Sequence, residues 1–146
     1  MGMAATILNK IECSTILLRA LIRSGHYNKH QNKPAAGAFI LRESETGLSV
    51  DIKDVRPLKD TLAQFKKVFA VISWHSGRVR DIRWGEIESE GNLLHIVHTP
   101  TDSNPAHADL NGLPHPTQQL ADAEFVSGIL ADQARLVWSL EETSKH

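Results

Sequence analysis

Apolar and polar positions alternate most clearly at 48–52, LSVDI, where Leu48, Val50 and Ile52 are separated by Ser49 and Asp51. A period of two is the mark of a strand with one covered face. The runs FAVISWH at 69–75 and NLLHIVHT at 92–99 are rich in β-branched and aromatic side chains and predict two more strands. AFILRE at 38–43 predicts another, joined to LSVDI through SETG. Residues 6–23 read two ways. Ile7, Ile11, Leu18 and Ile22 fall at helical spacing with Gly25 placed to end a helix, while STILLRALI from Ser14 reads as a buried strand. The pattern leaves both open.

Two stretches carry helical periodicity. Pro57 suits the opening of a helix through LKDTLAQFKKV, with Leu58, Leu62, Phe65 and Phe69 inward and Lys66 and Lys67 in the last turn. A longer helix is expected from Gln118 to Glu142, its stripe formed by Leu120, Ala123, Val126, Leu130, Val137 and Leu140. Gly128 weakens it by up to about 1 kcal/mol relative to alanine, too little to overturn so long a pattern. The polar, glycine-bounded segment 24–37 reads as a long loop, and SGRVRDIRWG as a turn with a further strand. NPAHADLNGLPHP at 104–116 reads as structural turns built on its prolines and Asn111-Gly112, with AHADL as one arm of a hairpin. The expectation is an α+β fold: a mainly antiparallel sheet packed against two or three helices, including a long C-terminal helix.

Length adds one domain, 1–146, with residues 1–5 disordered or tag-derived. MGMAAT matches the loose myristoylation pattern through Gly2 and Thr6, but Met1-Gly2 reads better as an expression scar. Sixteen Lys and Arg against seventeen Asp and Glu argue against a general nucleic-acid-coating protein, whose affinity rests on excess positive charge. The lone cysteine, Cys13, rules out an internal disulfide and a multi-cysteine zinc site. No apolar run reaches the roughly eighteen residues of a membrane helix, and the start lacks a signal-peptide pattern, so a cytoplasmic protein is expected. No GxxxxGK[ST], GxGxxG or GxSxG occurs, and no cofactor is implied.

Eight histidines make the composition unusual. His26 and His30 are four apart, but Gly25, Asn28, Asn32 and Pro34 argue against the helix that would align them. His95 and His98 are three apart on an expected strand, so they point to opposite faces and share no metal. No metal site is expected. His26 and His107 are the candidates for proton transfer, and they work together only if the 24–37 and 104–116 segments meet in space. HSGRVRDIRW offers a binding face for an anion: His75, Arg78 and Arg80, with Trp74 and Trp84 for stacking and Arg78 and Arg80 sharing one strand face. Asp81, Glu86, Glu88 and Glu90 follow and oppose it.

The order of AAGAFILRE, GLSVD and NPAHADLNGLP over about Leu17 to Pro114 resembles a set of small uncharacterised bacterial proteins, which implies a bacterial cytoplasmic origin and supplies no known activity or catalytic residues. The chain is also similar in part to ADP-ribosyltransferase-like toxins, which place an Arg or His on an early strand to hold NAD, then a serine-bearing strand, then a late acidic residue. Arg19 and Ser49 match the first two places; Glu124, in the expected last helix, does not match the third. Two functions follow as expectations. One is a non-enzymatic module for a protein partner or a small anionic ligand, using the His75–Trp84 face. The other is a small enzyme acting on a nucleotide or phosphoester through His26 or His107 and an arginine. A homodimer formed through an exposed apolar face is a third reading.

Overall fold

The computed structural model describes residues 11–85 and 92–140. Among these, ten strands form: β1 (Ile16–Leu21), β2 (Tyr27–Asn28), β3 (Lys33–Pro34), β4 (Leu48–Ile52), β5 (Ala70–His75), β6 (Arg83–Trp84), β7 (Asn92–Leu93), β8 (His95–His98), β9 (His107–Asn111) and β10 (Arg135–Ser139). Three α-helices join them: α1 (Leu58–Ala63), α2 (Ser76–Arg80) and α3 (Pro116–Gln133). Six strands make one antiparallel sheet in the order β10-β5-β1-β4-β9-β8, so the fold is α+β as expected.

The ambiguity at 6–23 resolves toward a strand from Ile16, because STILLRALI finds partners on both sides. β1 pairs with β5 along six residues, Ile16–Leu21 against Ala70–His75. With β4 it pairs only at Leu17–Ile52 and Leu18–Asp51. Alternation then sorts the side chains. Leu17, Leu21, Leu48, Val50, Ile52, Ile72 and Trp74 join Val126, Leu130 and Ala131 of α3 in the main core. On the opposite face, Leu18 and Val71 pack with Leu58, Leu62 and Phe65 in and after α1.

Three expected elements are corrected. The helix foreseen for 118–142 ends at Gln133, and Arg135–Ser139, carrying Val137, is the sheet-edge strand β10. RLVWS is a short apolar run with β-branched and aromatic side chains, and β5 offers it an open ladder that it joins with a bulge between Leu136 and Trp138; local helical spacing does not outweigh that pairing. AFILRE forms turns. Ala38, Phe39 and Leu41 are buried, yet the backbone is closed by Ala38 N–H to Ala35 O and by Phe39 N–H to Ser127 Oγ. The first helix stops at Ala63, short of Lys66 and Lys67, with Pro57 as its cap. The calls on residues 1–5, Gly2, Thr6, Ile7, the glutamates at 86, 88 and 90, and Glu142 lie outside the described residues.

Trp74 is the largest fully buried side chain, edge-on to Phe39 with ring centroids 4.8 Å apart, and its Nε1–H donates to Leu130 O at 2.8 Å. It joins β5, the 38–41 turns and α3. Trp74→Ala is expected to cost about 3–5 kcal/mol, read as a lower urea midpoint at unchanged slope; a loss below about 1 kcal/mol would contradict this packing.

Candidate functional site

Beyond the Leu18–Asp51 pair the sheet opens between β1 and β4, and a pocket of about 210 Å³ lies there, lined by both strands, by His26 and Arg42 from the loops, and by His107 of β9. A gap between two central strands exposes polar backbone and side-chain groups of both strands to this pocket.

Arg19 sits in this gap. By strand alternation it shares its face with Leu17 and Leu21, so a cation occupies a position that the pattern assigns to the core. Its Nη1–H donates to Ser49 O at 2.7 Å across the opening. Its Nε is shielded from solvent and meets no acceptor among the described residues. Burial draws the guanidinium below its ordinary value, while the carboxylate of Glu45 acts the other way; a guanidinium stays charged in such a setting. His26 is held below its ordinary value, first by burial and then by the charges of Arg19, Arg23 and Arg42. An anion placed among these groups would relieve all of them.

His107 faces Ser49 on the neighbouring strand. The register sets Asp51 opposite His107 and Ser49 opposite Asp109, so Ser49 and His107 are diagonal on one face. Their side chains meet, Nε2 to Oγ, at 3.2 Å. The other ring nitrogen, Nδ1, lies 3.1 Å from Thr99 O and 2.8 Å from Thr99 Oγ1. Nδ1 thus meets both an acceptor, the Thr99 carbonyl, and a hydroxyl that can donate or accept; in the tautomer with its proton on Nδ1, Nε2 is the acceptor for the Ser49 hydroxyl.

Behind this pair stands Asp51, buried on β4. Its Oδ2 accepts from Arg56 Nη2 at 2.7 Å, Arg56 Nε at 3.1 Å and Thr61 Oγ1 at 2.7 Å, and its Oδ1 accepts from Asn104 Nδ2 at 2.9 Å. Arg56 and Asn104 also donate to Gln64 Oε1. Asn104 Oδ1 accepts from Ala106 N–H, which shapes the NPA turn entering β9. Burial alone would raise the Asp51 carboxyl; the bonds from Asn104, Thr61 and Arg56 outweigh it and hold the group below its ordinary value. Arg56, Gln64, Asn104 and His107 line a second cavity of about 450 Å³, and Gln64 and His107 border both spaces.

The 24–37 and 104–116 segments therefore meet at one pocket, which is what joint use of His26 and His107 requires. His30 does not line it, and the two histidines share no helix: Ser24–His26 is a single 3-10 turn and β2–β3 a short hairpin. NPAHADLNGLPHP serves structure and site together, since its turn delivers β9, which carries His107, and His115 caps α3 by accepting at Nδ1 from Thr117 N–H. The His75–Trp84 face does not form as foreseen. Trp74 is inside the core, and Trp84 is half-buried with Nε1–H on Gly112 O at 2.7 Å. Arg78 and Arg80 lie on α2, not on a strand, Arg80 with Nη2 3.6 Å from Cys13 Sγ and His75 exposed at the cap. The tryptophans and arginines are not presented side by side. His95 is exposed and His98 buried, on opposite faces, and among the described residues no three His, Cys, Asp or Glu side chains are placed to hold a metal. No helix of the described residues is long and apolar enough to cross a membrane.

Composition reasoning passed over Arg56, Thr61, Gln64 and Asn104, ordinary polar residues far apart in the chain. Arg19 carried a signal: it is the single charge within ILLRALI. No protein-family model, curated protein or solved structure matches the chain.

Asp51→Asn leaves the Arg56 guanidinium without its partner carboxylate, and a broken buried pair costs about 3–5 kcal/mol; the part-open Arg56 side chain places the expectation at the lower end. Because the folded carboxyl titrates below its ordinary 3.8, its contribution is full above that value and fades as pH falls through the folded one. Urea melts at falling pH should show this loss in the native chain and a flatter profile in the variant. Parallel profiles would refute it.

Proposed function

We propose that this chain binds a small phosphate-bearing ligand, a nucleotide or phosphoester, in the gap between β1 and β4, with His26 and His107 disposed for proton transfer. One observation carries the reading: the Arg19 guanidinium is kept in the core face of a central strand, one N–H without an acceptor, at the wall of a pocket. A buried unsatisfied donor costs about 1–3 kcal/mol, and an anionic oxygen from a ligand removes that cost. Arg42 and His26 add positive or proton-donating groups on the loop side. Arg19 and Ser49, the first two places of the comparison with ADP-ribosyltransferase-like toxins, are neighbours through the Arg19 bond to the Ser49 carbonyl. Glu124, exposed on α3 and not part of the pocket lining, gives no support at the third.

Exposed Leu120 and Phe125 on α3 favour a second reading, a protein partner or a second copy covering that helix. Light scattering across a concentration series tests the second copy.

Titration calorimetry with pyrophosphate, AMP and NAD tests the pocket. A charge-assisted hydrogen bond contributes about 1.5–3 kcal/mol, so Arg19→Met should weaken binding by roughly 10- to 100-fold. Its melting temperature without ligand should stay level or rise, because the variant no longer buries an unpaired donor. Arg78→Ala combined with Arg80→Ala should bind as the native chain does. Equal affinity in Arg19→Met, or loss only in the Arg78/Arg80 variant, would move the site to α2.

A further inference from the structure

Resting on the pocket just assigned, we propose that Ser49 and His107 form a nucleophile–base pair, and that the ligand is a phosphoester whose phosphoryl group is transferred to Ser49 Oγ. Three observations meet here. Ser49 is exposed, lines the pocket, and its hydroxyl contacts His107 Nε2 at 3.2 Å. His107 is oriented by Thr99, whose carbonyl lies 3.1 Å and hydroxyl 2.8 Å from Nδ1, and the tautomer with its proton on Nδ1 presents the Nε2 electron pair to the serine. The arrangement is the one a weak oxygen nucleophile requires: a base within reach and a third group orienting that base. Arg19 reaches the backbone carbonyl of the same serine at 2.7 Å and lines the same pocket, a fixed positive charge in the space the phosphoryl group would enter. Charge developing on phosphoryl oxygens is stabilised by such a preorganised cation.

The step balances without a metal or redox partner. The Ser49 Oγ–H proton passes to His107 Nε2 as the Oγ–P bond forms and the bond from phosphorus to the leaving oxygen breaks. The leaving oxygen, in line on the far side of phosphorus, takes a proton from water. Water then attacks the phosphoserine from that side and gives up a proton to solvent, while the His107 imidazolium returns its proton to Ser49 Oγ as the Oγ–P bond breaks, releasing phosphate and restoring the serine hydroxyl. The sum is hydrolysis of a phosphoester by water. The Asp51 network is not consumed; through Asn104 and the NPA turn it sets where β9 begins and so where His107 stands.

The test treats the full chain with a fluorophosphonate, which reports an activated serine by forming Oγ–P and releasing fluoride, and with p-nitrophenyl phosphate, whose phosphoserine is trapped by acid quench. Peptide mass spectrometry should place both adducts on Ser49. His107→Ala and His107→Gln should slow labelling at least about 100-fold, the usual contribution of a general base. The glutamine variant fills the same space and guards against loss of fold, and circular dichroism verifies both. Ser49→Ala should lose both adducts, with circular dichroism showing it folded. Native chain that binds pyrophosphate but carries no adduct on Ser49, or labels equally fast without His107, overturns the pair while leaving the anion pocket standing. Absence of pyrophosphate binding instead removes the pocket on which the pair rests.

Discussion

The arrangement turns on one buried carboxylate. Asp51 cannot stay ionised inside the protein without partners, and the partners it takes come from three separate places: Arg56 after β4, Thr61 on α1 and Asn104 ahead of β9. Meeting that requirement draws α1 against the sheet and sets the turn from which β9 starts. His107 then stands opposite Asp51 and diagonal to Ser49. A polar residue whose desolvation must be repaid by several bonds is satisfied in few geometries, so it specifies position more sharply than apolar packing does.

The same sheet contains a group that is not satisfied. Arg19 has the surroundings of a core side chain and the chemistry of a ligand-binding one, and its Nε lacks an acceptor in the chain. The strand pairing explains how the site is tolerated. β1 holds its place through a full ladder with β5, so the short ladder with β4 can open without unravelling the sheet. Stability is supplied on one side of β1 and the opening on the other, a common division between rigid scaffold and strained site.

Much of the fold was legible along the chain. Strands at LSVDI and FAVISWH followed from alternation and β-branched content, and the helix over Ala123, Val126 and Leu130 from spacing. Where local pattern misled, a long-range partner decided. RLVWS continued a helical stripe but lay beside the free edge of β5, and AFILRE had strand composition but was closed by turns and by Ser127 of α3. The basic cluster at 75–84 had anion-binding composition, yet Trp74 was needed by the core and α2 took the arginines off a strand. Of the candidate site, His26 and His107 stood out in the sequence as loop histidines, and Arg19 and Ser49 only through one resemblance; Arg56, Gln64 and Asn104 did not, because their role exists only in contact with Asp51.

The sequence by itself determined the class of fold, the central apolar strands and the supply of histidines and arginines, since these depend on period and composition, which are local properties. Tertiary structure decided the strand order, the early parting of β1 from β4, and the meeting of residues 19, 26, 49 and 107 at one pocket. The reason is range. Periodicity tells which face of an element is apolar, but which elements become neighbours depends on burial and hydrogen bonding summed over the whole chain, and a site assembled from four segments has no signature within any one of them.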